Sequence, residues 1–172
     1  MKSQVRARRL TQSALLAAIA LTIFVVEAQI PLPLPIPGLK LGLSNVITLF
    51  ALKKLGKKHA LGIVLVRIVL GNLILGQVMA MLYAFGGGLL SFAVMALLCG
   101  RFPLKQLWVV GAFGGIAHNL GQTAVAVLVT QTPALLVYLP VLLLCGILTG
   151  AFTGLCAGLL CARSEKNRRL FP

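Results

Sequence analysis

An all-α integral membrane protein of about six transmembrane helices is the fold class that this 172-residue sequence predicts. Three observations carry the reading. Hydrophobic residues make up 59% of the chain and charged residues only 10%, with a mean hydropathy of +1.03, whereas a soluble domain carries about a quarter charged residues to cover its surface. Apolar windows of bilayer-crossing length, about 17 to 25 residues, recur along the chain. The basic residues collect in alternate gaps between those windows.

The expected helices are, in order, 11–29, 41–52, 59–79, 82–100, 107–130 and 135–162, in a single transmembrane domain covering 1–172. Helix 1 follows a basic segment and ends in Val26-Glu27-Ala28, which resembles a signal-peptide cleavage site. Retention as a helix is the reading adopted, because the later segments need a first helix to pack against. Helix 2 is short, so it either borrows from the preceding loop or ends before crossing the full bilayer. Helices 3 and 4 run together without a charged break. Their joint is expected between Gly76 and Gly88, where Gln77, Tyr83 and the Gly86-Gly87-Gly88 run interrupt the apolar pattern.

Fourteen of the 16 basic residues, among them Arg6, Arg9, Lys53, Lys58, Arg101 and Arg163, lie before helix 1, between helices 2 and 3, between 4 and 5, or after helix 6. The positive-inside rule then places both termini in the cytoplasm and the other connections, which hold only Lys40, outside a cell membrane. The net charge of +14 therefore reports orientation and contact with membrane lipid, not nucleic-acid binding.

Acidic residues are more restrictive still. The chain has no Asp, and its two Glu are Glu27 and Glu165, so no carboxylate pair for metal or general acid/base work can be assembled. No glycine-rich run ends in the Lys-Ser/Thr of a phosphate loop. The expectation is a chain with no catalytic residue, no cofactor and no metal site. Cys99, Cys145, Cys156 and Cys161 lack ligand spacing, and His118 has no second ligand near it.

Five features carry functional candidates. The 30–40 loop alternates proline with large aliphatics, so it is extended and stiff, and serves either as a spacer or as a lid over an external pocket beside Lys40. Arg67 lies inside helix 3, where a cation costs about 2.5–3.5 kcal/mol; it pairs with Glu27 or meets an anionic ligand. His118, Asn119 and Gln122 fall within five residues of helix 5, and Asn45, Asn72, Gln77 and Tyr138 are placed to line the same cavity. Gly146, Gly150, Gly154 and Gly158 give helix 6 a ridge without side chains, which Gly111 and Gly115 of helix 5 can approach closely. Ala14 and Ala18 form a shorter small-residue pair on helix 1, for packing within the chain or docking to a partner.

Ile36-Pro-Gly-Leu-Lys-Leu-Gly-Leu-Ser-Asn-Val-Ile-Thr-Leu, the segment from Gly87 to Met95, Ala117-His-Asn-Leu-Gly-Gln and Tyr138-Leu-Pro with the following glycine ridge resemble the Gx transporter family, also described as heptaprenyl diphosphate synthase component I. That family is in turn similar to the substrate-binding S components of energy-coupling factor (ECF) importers. The resemblance implies an S-component-like bundle that binds a micronutrient or precursor near the outer face. It implies docking through Ala14 and Ala18 on a T component, with ATP hydrolysis by two partner ATPases. The alternative is a membrane accessory subunit in isoprenoid biosynthesis. Prenyl diphosphate synthases resemble one another in aspartate-rich motifs that this chain does not have, so the synthase description implies at most an association with such an enzyme.

Overall fold

A computed structural model describes residues 2–30 and 40–166, which form six α-helices and no strand among the described residues. They are α1 (Lys2–Glu27), α2 (Asn45–Lys54), α3 (Lys57–Ile74), α4 (Val78–Leu98), α5 (Leu107–Thr130) and α6 (Leu139–Lys166), with 3-10 turns at Leu104–Gln106 and Pro133–Tyr138. The proline-rich stretch proposed as spacer or lid, at 31–39, and the basic residues Arg168 and Arg169 lie outside the described residues.

Among the described residues four stretches are long and apolar enough to cross a membrane: Gln4–Glu27, Val78–Leu98, Leu104–Thr130 and Pro133–Lys166. This is consistent with a membrane protein of six helices, of which α2 and α3 fall short of that length and apolarity. The 10 residues of α2 extend only about 15 Å at 1.5 Å per residue, half of a hydrocarbon core of about 30 Å. Its residues from Ile47 to Leu52, Thr48 included, are all buried in protein. The 18 residues of α3 carry Lys57, Lys58 and Arg67, too many cations for an apolar span.

The joint between α3 and α4, residues 75–77, holds Gly76 and Gln77 and so lies at the near end of the expected window. Gly76 stands at φ +65°, a conformation that side chains other than glycine disfavour, and Gln77 N–H closes the turn on Asn72 O at 2.9 Å. Gly86, Gly87 and Gly88 lie well inside α4. They do not interrupt the helix; Gly86 and Gly87 let α5 approach it, because a Cβ at Gly86 would overlap Val125 and the Gly121 carbonyl, and Gly88 receives Ile68 of α3. Residues 135–138, expected in helix 6, form the 3-10 turn instead, and that helix runs on to Lys166. Helix 1 begins earlier than expected, with its basic residues already helical.

The centre of the bundle is α5, packed most extensively on α6 and then on α4. Gly111 faces Gly150 and Gly154, and Gly115 faces Gly146, so closely that an added Cβ at any of these glycines would overlap backbone of the other helix. The opposite face of α6 presents exposed Leu144, Leu148, Phe152, Leu155 and Leu159. Glycines inward and leucines outward is the arrangement that lipid favours, since close backbone approach drives helix association there. Parallel to α3 runs α1: Ser13 meets His59 at one end, and Gly71 receives Leu21 and Phe24 at the other.

Two tiers result. Leu16, Ile47, Leu49, Phe50, Ile63, Met95, Leu107 and Cys161 make an apolar core toward the basic end, while Glu27, Lys40, Ser44, Arg67, His118 and Gln122 are buried toward the opposite end. At the basic face Lys53 Nζ donates to Phe102 O at 3.0 Å, and Lys54 pairs with Glu165 at 3.2 Å. Because the Glu165 side chain is 59% exposed, Glu165→Gln is expected to change stability by no more than about 1 kcal/mol. A thermal unfolding midpoint indistinguishable from that of the parent chain checks this.

Candidate functional site

The polar tier is assembled from four elements. The last turn of α1 brings Glu27, with Phe24 one turn earlier on the same face. Residues 40–45 bring Lys40, Gly42, Ser44 and Asn45 across the end of the bundle. The middle of α3 brings Arg67, and α5 brings His118 and Gln122 four residues apart on one face. Glu27, Lys40, Ser44, Arg67, His118 and Gln122 are all less than a tenth exposed.

The 40–45 strap is tied down at several points. Gly42 N–H donates to Glu27 Oε1 at 2.5 Å, Lys40 N–H donates to Gln122 Oε1 at 3.3 Å, and Thr149 Oγ1 of α6 donates to Leu41 O at 3.3 Å. Gly42 adopts φ +80°, and a Cβ there would press on Asn45 and the His118 ring. Only glycine suits that corner.

Arg67 Nη1 donates to Ser44 Oγ at 2.5 Å and to Asn45 Oδ1 at 3.4 Å, while Asn45 Nδ2 donates to Ser91 Oγ at 3.3 Å. Glu27 makes no direct ion pair with Arg67 or Lys40; the one ion pair among the described residues is Lys54–Glu165. The three charges instead face one another around a common void. The Lys40 ammonium lies 3.5 Å from the centre of the Phe24 ring, a cation–π contact. Burial pulls this loop lysine down to about 8, Glu27 pulls it back up, and Arg67 adds to the lowering.

Gln122 donates its amide to His118 Nε2, the two nitrogens being 2.5 Å apart. Since Gln122 Oε1 already accepts from Lys40, this orientation leaves the ring proton of neutral His118 on Nδ1. Lys40 Nζ and Arg67 Nε are buried and have no hydrogen-bond partner among the described residues. A buried unsatisfied polar group is costly, about 1–3 kcal/mol and more when charged, and both of these cations belong to residues that line one void. The void, lined by these residues with Ile68 and Ala84, measures about 10 Å³, room for about one water. Two cations against one carboxylate leave it suited to an anionic group.

Not every candidate joins this cluster. Asn119 points away from His118 and donates to Leu142 O of α6, so the three polar residues of α5 do not converge as their spacing suggested. Asn72 caps its own helix on Ile68 O at 2.8 Å. Tyr138 is 37% exposed beyond the end of α5. Phe24, Gly42 and Ser44 were not nominated from sequence, although the one-turn spacing of Phe24 and Glu27 and the adjacency of Ser44 to Asn45 are the signals for two of them. Among the described residues no group of His, Cys, Asp and Glu is arranged to hold a metal ion.

Ala14 and Ala18 are exposed and line a separate apolar groove of about 540 Å³ between α1 and α3, together with Leu10, Ala17, Gly62 and Val66.

The sequence model of a family described as heptaprenyl diphosphate synthase component I matches residues 16–160, a span that includes every residue of the polar cluster. No curated protein and no solved structure matches the chain.

Proposed function

The chain belongs to the heptaprenyl diphosphate synthase component I family, and on that premise we propose that it is a non-catalytic membrane component that takes up the anionic group of a small molecule between Lys40 and Arg67. The observation that carries this reading is the pair of unpartnered buried atoms, Lys40 Nζ and Arg67 Nε, of residues around a void with one carboxylate. Uptake requires the 40–45 strap to lift, because the void holds no more than about one water. The absence of Asp supports leaving catalysis to a partner. In the cell membrane, with both basic termini cytoplasmic, the site lies in the outer half of the bundle.

The family description favours a setting beside the catalytic component of a prenyl diphosphate synthase, whose products join an anionic head to an apolar chain. A second setting keeps the same site and makes the chain the capture subunit of an ECF-type importer, with a T component and two ATPases. The exposure of Ala14 and Ala18 along the groove favours that one.

Native mass spectrometry of the purified chain tests the site. The wild type is expected to carry a small-molecule adduct, or to gain thermal stability with inorganic diphosphate. Lys40→Gln should weaken either effect about tenfold or more, the usual scale for a lost charge-assisted contact. A wild type with no adduct and no response to diphosphate defeats the reading. The settings separate on activity: a catalytic synthase component stimulated by this chain supports the first, and ATP-driven uptake that needs Ala14 and Ala18 supports the second.

A further inference from the structure

The groove between α1 and α3 is open and apolar along most of its length, and basic at one end. Leu10, Ala14, Ala17, Ala18 and Leu21 line one wall, and Gly62, Ile63, Val66 and Leu70 the other, while Ser13, Lys58 and His59 close the end next to the basic face. From Leu10 to Leu21, and again from His59 to Leu70, the walls rise about 17 Å. That is close to half of a hydrocarbon core of about 30 Å, the depth of one leaflet.

Lys58 is exposed and has no ion pair among the described residues. Arg9 is exposed one turn before Ser13, on the side of α1 from which Ser13 Oγ reaches the Arg9 carbonyl at 2.8 Å. Glu165 is engaged by Lys54. His59 Nδ1 lies 3.0 Å from Ser13 Oγ, so a hydroxyl and an imidazole bridge the two helices just beneath these cations.

We propose that this groove is a binding site for one anionic phospholipid of the leaflet on the basic side. Its phosphate sits at Lys58, Arg9 and the Ser13–His59 pair, and an acyl chain lies along Ala14, Ala18 and Gly62. Depth and charge favour a lipid over a partner helix. A transmembrane helix would run past the far end of a groove one leaflet deep, and would leave the cations at its near end unanswered unless it brought its own acid. The small residues give the acyl chain its channel, and the basic rim selects the head. The site shares no lining residue with the Lys40–Arg67 cluster, so its failure leaves the anion-binding reading untouched, while its success takes the groove away from the importer setting.

The test is native mass spectrometry of the full chain released from bilayers of phosphatidylglycerol and phosphatidylcholine with matched acyl chains. One phosphatidylglycerol should be retained in preference to phosphatidylcholine, by about fivefold for each engaged basic residue. Lys58→Glu should abolish that preference. Gly62→Leu should remove retention of both lipids by filling the channel. An added Cβ at Gly62 meets nothing within 4 Å and leucine favours helix over glycine, so the thermal midpoint of this variant should not fall. Equal retention of the two lipids by the wild type overturns the proposal, as does retention unaffected by both substitutions. Displacement of the lipid by soluble glycerol phosphate would reduce the site to a headgroup contact and overturn the channel. A purified partner helix that binds Gly62→Leu less well, while lipid retention stays unchanged, would reassign the groove to protein docking.

Discussion

Gly150→Leu is expected to leave no packed protein: after extraction into detergent the variant should aggregate and show no cooperative thermal transition. A Cβ at this position overlaps the Gly111 carbonyl oxygen and presses on Ala112 Cα. Overpacking a core against side chains costs about 1–3 kcal/mol, because side chains can shift rotamers. Here the obstacle is helical backbone, so relief requires α5 and α6 to separate along their whole seam, the most extensive contact in the molecule. The companion measurement is Gly62→Leu, the same chemical change where nothing lies within 4 Å, which should keep the parental midpoint. A Gly150→Leu protein that melts like the wild type would sink the account of the seam.

The second large effect concerns Arg67. Arg67→Leu is expected to destabilise the chain by about 3–5 kcal/mol, the scale for removing one member of a buried charge set. It withdraws the donor to Ser44 and Asn45 and leaves Glu27 answered only by Lys40. Glu27 and Arg67 interact across the void without touching, so their coupling is open to a double-mutant cycle. Adding Glu27→Gln to Arg67→Leu should return at least about 1 kcal/mol of the loss. Strict additivity of the two substitutions would show that the charges act independently and that the void is not one site.

The fold was legible in the sequence wherever a pattern has a single physical cause. Glycine at every fourth position of helix 6 has few uses other than close helix approach, and Gly146, Gly150 and Gly154 meet backbone of α5. The shortness of the second helix was legible too: it stops after 10 residues, and Ile47 to Leu52 are all buried inside protein. The Gly86–Gly88 run misled, since three glycines read as a break whereas their partners are neighbouring helices.

The site was half legible. Charge in an apolar segment is expensive wherever it sits, so Arg67, His118 and Gln122 stood out without any knowledge of their surroundings. Their convergence with Lys40 and Glu27 depends on the strap between Lys40 and Asn45, whose backbone N–H groups donate to Gln122 and Glu27, side chains remote from it in sequence. Asn119 shows the limit of helical spacing. One position beyond His118 is a rotation of about 100°, enough to turn an amide from the void to α6.

The backbone of α1 approaches only α2 and α3 among the helices, and this gives the molecule an uneven stiffness. The seam between α5 and α6 is glycine against glycine, with no side chains to rearrange, so the pair behaves as one rigid plank that carries His118 and Gln122. Glu27 rides on the compliant outer stave. A small tilt of α1 away from α3 therefore strains the Gly42–Glu27 bond, lifts Phe24 from Lys40 and widens the groove, while the plank stays still. Whatever lodges in that groove sets the angle of the stave, and so the tension on the strap across the charged void.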